Sequence, residues 1–292
     1  MIATDARSLG AGYLIRNRPW YVASRAVLYA AIIVGAIIYL IPFFWMLSTS
    51  VKDGGEVFLD PPKWIPSHLV WANYLRPFQA THFERYFKNT AVFTGADIIG
   101  TVISSSLVAF GFSRMRFRGR DFLFIVVLST MMLPNQVTLI PQYILFTKLH
   151  LVNTLWPLII PNWFGSPFNI FLLRQFMMTI PHEMDDAARM DGANWWQIYW
   201  RILIPLSAPA LGVIAIFSFT FHWNDFFYPL IYLNTEDNFT VSLGLQLLNT
   251  RYTADVPGTM AMTVLSIIPC LIVFFVAQRS FIQGIVVTGV KG

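Results

Sequence analysis

Charge is scarce in this sequence: Asp, Glu, Lys and Arg make up 12% of its 292 residues, against about 25% in soluble domains. With 56% of residues hydrophobic, that deficit excludes an ordinary soluble globule. A crossing helix needs about 20 mostly apolar residues, so six crossings use roughly 120 and leave no length for a large extramembrane domain. The single cysteine, Cys270, excludes an intramolecular disulfide, and without a Cys-x-x-Cys or Cys/His cluster no structural metal framework is expected. No Gly-x-x-x-x-Gly-Lys-Ser/Thr phosphate loop is present, so the chain is not itself an ATPase. His182-Glu183 begins like a zinc-protease motif, but position 186 is Asp where a second His is required. No nucleophile, base and orienter set suggests a membrane enzyme. The formal charge of +5 and pI near 9.4 do not indicate nucleic acid, because the basic residues flank apolar runs instead of forming a basic domain.

Six apolar runs emerge when charges are taken as punctuation: 26–47, 89–113, 122–147, 149–173, the run beginning at Ile202, and 256–277. The second carries only Asp97, the fourth only His150, and Pro134 and Pro141 are expected to kink the third. The expected fold is an all-α membrane protein of six spans. It divides into a tail (1–25), a first helix with an outward loop (26–88), a five-helix core (89–277) and a second tail (278–292). The first run lacks a small-residue cleavage pattern and reads as a retained anchor. Of the 20 Lys and Arg residues, 13 fall on the tails and the loops after spans two and four, and 7 on the alternate loops. The positive-inside rule then puts both termini in the cytoplasm.

The loop 181–205, PHEMDDAARMDGANWWQIYWRILIP, is too polar to span yet has helix signals. Pro181 suits a first turn, Glu183, Asp185 and Asp186 complement the positive helix end, and Gly192 suits the C-terminal cap. Met184, Ala187, Ala188 and Asp191 share one helical stripe, and its small alanines allow another protein's backbone to approach closely. A second helix over 194–202 is expected to return to the bilayer through Trp195, Trp196, Tyr199 and Trp200.

At this loop the sequence resembles the integral membrane subunits of ABC importers. Their pattern is Glu-Ala-Ala, three residues, Gly, nine residues, Ile-x-Leu-Pro; here Asp186, Ala187, Ala188, Gly192, Ile202 and Pro205 stand at those spacings, with Asp186 for Glu and Ile204 for Leu. The resemblance implies that the loop is a coupling helix seated in a cleft of an ATP-hydrolysing subunit. Asp186 would make an ionic contact there, Ala187 and Ala188 the close packing and Gly192 the turn. GFSRMRFRGRDFLF, FNIFLLRQFM, WNDF and the terminal QGIVVTGVKG narrow the likeness to the second permease subunit of maltose-type carbohydrate importers, the MalG-like group. The resemblance to that group implies a non-catalytic permease of the bacterial or archaeal cytoplasmic (inner) membrane that binds no cofactor. ATP and Mg would be bound by a dimer of ATPase subunits; a MalF-like second permease, an extracytoplasmic solute-binding protein, a carbohydrate and the lipid bilayer complete the partners. In that group the terminal segment reaches between the ATPase subunits.

Within the spans, Ser218, Phe221, His222 and Asp225 recur at i, i+3, i+4 and i+7. One helical face thus offers an aromatic ring beside hydrogen-bonding groups, the mixture that sugar rings and hydroxyls require. Trp163, Phe164 and Phe168 are candidates for the facing wall, and interhelical aromatic packing is the plainer reading of all these residues. Asp97 is open to a structural pairing, a substrate role or proton coupling. Trp223 and Asn224 are placed to fix the outer end of span five. The proline- and tryptophan-bearing segment 48–88 reads as an ordered cap, a lid over the helix ends or a dock for a substrate-delivering protein. The alternative function is an ion-driven secondary transporter acting as a homo-oligomer, for which several midplane ionisable groups and inverted repeats are expected.

Overall fold

The computed structural model describes residues 19–251 and 255–289. Expectations for the tail residues 1–18 and for 290–292 lie outside them. The described chain is helical and no strand is present among the described residues. The first helix, α1 (Pro19–Ser50), follows from the uncharged run 26–47, and its side chains are almost all exposed. It lies against the last helix of the chain and leaves its apolar surface outward. Such a surface is stable in lipid, not in water.

Beyond α1 the chain folds over that helix's end. Asn73 donates through Nδ2 to the carbonyls of Ser50 (3.1 Å) and Lys52 (2.8 Å), Trp64 packs edge-on against Trp45, and the Lys52 ammonium sits 3.9 Å from the Trp45 ring centre. Burial lowers the Lys52 pKa, with Glu56 opposing. The cap is therefore ordered, as the proline and tryptophan content suggests.

Helix α2 (Phe83–Arg114) is the spine. Along it Phe83 and Tyr86 enter one core, Phe93 a second, and Ala109 and Phe110 a third. Several of its buried hydroxyls bond back to their own helix: Thr90 to Tyr86 O (2.9 Å), Ser106 to Ile103 O (3.1 Å) and Ser113 to Phe110 O (3.2 Å). Thr90 Oγ1 also accepts from Val241 N at 2.8 Å. Small residues let neighbours close in on such a helix. At Gly100 an added Cβ would lie 2.4 Å from the Trp163 ring.

Next come α3 (Arg120–Ser129) and α4 (Asn135–Lys148), bent by 94° across the Pro134 junction. Pro134 therefore breaks the third run, whereas Pro141 lies inside α4. The fourth run departs from expectation. Instead of one span, 149–173 contains a helix over Trp156–Ile159, a tight turn of helix over Ile160–Phe164, Gly165 at φ +90°, and only then α5 (Pro167–Met178). Pro157, Pro161 and Pro167 each remove a backbone donor, and Gly165 takes a φ that breaks the helix.

The loop 181–205 carries α6 (Glu183–Met190) and rises through Trp195–Ile198, a π-helical turn over Tyr199–Leu203 and Ile204–Leu206 to α7 (Ala208–Trp223), with a 74° bend before α7. Then α8 (Val241–Arg251) leads to α9 (Val256–Gly289), which contains Pro269 and packs on α1. Three described helices are long and apolar enough to cross a membrane, and each bent pair counted as one span raises the number to five. The run 149–173 is not one continuous helix: it is interrupted at Gly165, between the turn Ile160–Phe164 and α5.

Candidate functional site

Two regions carry the chemistry. The first is a cavity of about 450 Å³ between α2, α4, the 157–169 segment and α7, within the range of small-ligand sites. Phe168, Ser218, Phe221, His222 and Asp225 line it, as the helical spacing in span five suggests. Trp163 and Phe164 do not line it. Trp163 lies against Gly100, and Phe164 is exposed. Sequence reasoning missed Asn135, Thr138 and Gln142, one face of α4 at i, i+3 and i+7. That polar periodicity inside an apolar run was the available signal. Asn162, Asn169, Tyr228 and Tyr232 add further polar tips, and no Lys or Arg lines the cavity.

Asp97 has a named partner. His222 Nε2 lies 3.6 Å from Asp97 Oδ2, with both side chains buried, and His222 Nδ1 is 2.7 Å from Ser218 O. Since a carbonyl only accepts, Nδ1 carries a proton. Of the readings open for Asp97, structural pairing is the one this geometry displays.

Asp225 is placed by its own backbone work. Its Oδ1 accepts from Phe227 N (3.0 Å) and Tyr228 N (3.3 Å), starting the helix Phe227–Tyr232. Trp223 Nε1 donates to Ser266 O at 3.0 Å, and Asn224 Nδ2 to Thr220 O at 2.8 Å. Both residues thus hold the end of α7, and Trp223 ties it to α9.

The second region is the loop. Helix α6 closes in a Schellman motif: Ala193 N bonds Ala188 O (2.9 Å), Gly192 N bonds Arg189 O (3.0 Å), and Gly192 has φ +83°. Asn194 and Gln197 then form a reciprocal capping box at 2.7 and 2.9 Å. The stripe is split between two faces. Ala188 turns inward onto a core containing Leu173, Met177 and Tyr199, whereas Met184, Asp186, Ala187, Asp191 and Gly192 are exposed. Ile202 is half-buried and Pro205 exposed at the foot of α7.

Of the carboxylates in this loop, Asp185, one residue before Asp186, makes an ion pair with a residue outside it. It is buried 3.2 Å from Arg114 Nε. Among the described residues no group of three His, Cys, Asp or Glu side chains is placed to hold a metal.

Residues 99–287 match the family described as "Binding-protein-dependent transport system inner membrane component". The chain belongs to this family, and is accordingly a non-catalytic, multi-pass permease subunit of an ABC importer. Among its relatives is the arabinooligosaccharides transport system permease protein AraQ of Bacillus subtilis (strain 168), 32% identical over 285 residues that cover 96% of this chain and all of AraQ. A crystal structure of a bacterial ABC transporter that imports the acidic polysaccharide alginate contains a chain with TM-score 0.79 and 25% identity, covering 90% of this chain and 98% of that one. A second, of an alginate ABC transporter in complex with an alginate pentasaccharide-bound periplasmic protein, shares the fold at TM-score 0.64 and 17% identity over 90% and 96%. Nothing in these likenesses supports the ion-driven secondary transporter.

Proposed function

We propose that this chain is half of the translocation pathway of an importer for an uncharged carbohydrate, and that ATP hydrolysed on a separate subunit dimer drives it through the loop 181–205. The cavity lining carries the reading: amides, hydroxyls and aromatic rings with His222 and Asp225, and no cationic side chain. Sugar hydroxyls take the amides, and the aliphatic faces of the rings stack on Phe168 and Phe221. A uronate or phosphate would face Asp225 without a counter-charge from this subunit. The relatives include carriers named for a neutral and for an acidic saccharide, so the charge of the lining is what discriminates here.

Exposed Met184, Asp186, Ala187 and Asp191 present a face suited to a cleft in the ATPase, with Ala188 and Gly192 setting its height and Ile202 and Pro205 joining it to α7. The basic loops and both termini face the cytoplasm, a MalF-like permease covers the open side of the cavity, and the cap over 48–88 receives the solute-binding protein. ATP binding closes the ATPase dimer, and the two permeases rock against each other. Uptake by the reconstituted complex tests this: competition by neutral oligosaccharides and none by oligouronates is expected, and competition by oligouronates alone overturns the substrate assignment.

A further inference from the structure

Arg114 is the last residue of α2, and its side chain is fully buried at the base of the loop. Its guanidinium reaches three points of one short segment. Nη2 donates to Ile180 O at 2.9 Å, Nη1 meets His182 Nδ1 at 3.0 Å, and Nε lies 3.2 Å from Asp185 Oδ2. Asp185 is buried as well, with His182 Nδ1 at 3.6 Å from the same oxygen. Ile180 two residues ahead of the N-cap, the N-cap His182 and the first turn of α6 are thus held by one planar fork. Lysine, a single point donor, has no equivalent geometry.

Apolar contacts alone would leave α6 loosely attached. Within it, Ala188 is the residue that packs on the apolar core, while most of its other side chains are exposed. A buried ion pair adds little net stability over an apolar pair of similar volume, but it fixes one geometry where an apolar contact can slide.

The other end of the lever is on the same helix. Asp97, 17 residues before Arg114 and therefore about 25 Å away along α2, is the partner of His222 on α7, and His222 lines the cavity. We infer that Arg114 is a positioning residue that pins α6 to α2 through Asp185, so that displacement of the loop moves α2 as a rod and changes access to the cavity. This rests on reading 181–205 as the ATPase-docking loop. Asp186 faces outward for the docking subunit, and Asp185 faces inward for the transmission.

The test needs no knowledge of the sugar. In the full complex, with Cys270→Ala and Thr138→Cys, a membrane-impermeant maleimide reports access to the cavity with and without MgATP and vanadate. With Arg114 and Asp185 intact, nucleotide trapping is expected to change the labelling rate by about tenfold. With Arg114→Gln, or with the apolar pair Arg114→Met and Asp185→Leu, the complex still assembles and hydrolyses ATP but the nucleotide-dependent change disappears. Arg114→Lys gives an intermediate response. An unchanged response in the Met/Leu pair overturns the inference, and so does failure of both the Gln and the Met/Leu complexes to assemble, which would make Arg114 a folding residue. The docking reading has its own control: Ala187→Trp is expected to abolish co-purification of the ATPase, and if it does not, that reading fails whatever Arg114 does.

Discussion

His222 Nε2 faces Asp97 Oδ2 at 3.6 Å across the buried contact of α7 with α2, and the other ring nitrogen of His222 is held by Ser218 O. The pair is therefore both a helix tie and part of the cavity wall. Removing one partner takes away a buried polar contact between the two helices, which is destabilising. Asp97→Ala and His222→Ala are expected to lower the thermal stability of the purified complex. Phe221 is exposed in the cavity, so Phe221→Ala is expected to change apparent transport affinity with unchanged stability. Equal melting temperatures for all three variants would remove the structural role of the pair.

Gly192 is required for its backbone, not for space. Its φ is +83°, and an added Cβ meets nothing within 4 Å. Gly192→Ala is expected to cost about 1–2 kcal/mol, and Gly192→Asn less, because Asn tolerates the left-handed region. Protease susceptibility of the 190–194 junction in the assembled complex checks the order Gly, Asn, Ala.

Gly100 is the opposite case. A Cβ there would fall 2.4 Å from the Trp163 ring, so Gly100→Ala is expected to destabilise the complex and Trp163→Ala to relieve part of the loss. A double-mutant cycle on thermal stability should give a coupling of about 1 kcal/mol or more, and strict additivity would place the ring elsewhere.

Glu56 accepts from Ser67 N at 3.2 Å and from Lys63 Nζ at 3.3 Å. A hydrogen bond from the Ser67 hydroxyl foremost, then those from the Ser67 N–H and Lys63, hold its pKa below the ordinary carboxylate value against the opposing effect of burial. A carboxylate with a depressed folded pKa contributes stability that is fully present above its unfolded value, about 4.3, and is lost as the pH falls through the folded one. The cap over 53–70 is expected to loosen in acid, and Glu56→Gln to reproduce that loosening at neutral pH. Hydrogen exchange of the Ser67 amide, corrected for its intrinsic rate, is the measurement.

Much of this arrangement was legible in the residues. The uncharged runs 26–47 and 256–277 fall inside α1 and α9, and 89–113, whose one charge is Asp97, falls inside α2, because a long apolar stretch marks a helix that can cross a bilayer. Helix α6 was readable from Pro181, the acidic first turn and Gly192. The run 149–173 is a series of short helices and not one; hydropathy measures composition and passes over Pro157, Pro161 and Pro167, each in the first turn of a new element, and over Gly165 at φ +90°. The inward turn of Asp185 was not legible: its partner, Arg114, lies 71 positions earlier and was counted only as a topological charge. Asn135, Thr138 and Gln142 are uncharged, so punctuation by charge passes over them, although α4 turns that face to the cavity.

The central claim is that this chain moves a solute only as part of an ATP-driven assembly. Its most direct test is gentle purification of the tagged chain from native membranes, with identification of what accompanies it. Recovery of a phosphate-loop ATPase and a second permease, with reconstituted uptake that requires ATP, is expected; recovery of the chain alone or as a homodimer, with uptake independent of ATP, would contradict the account.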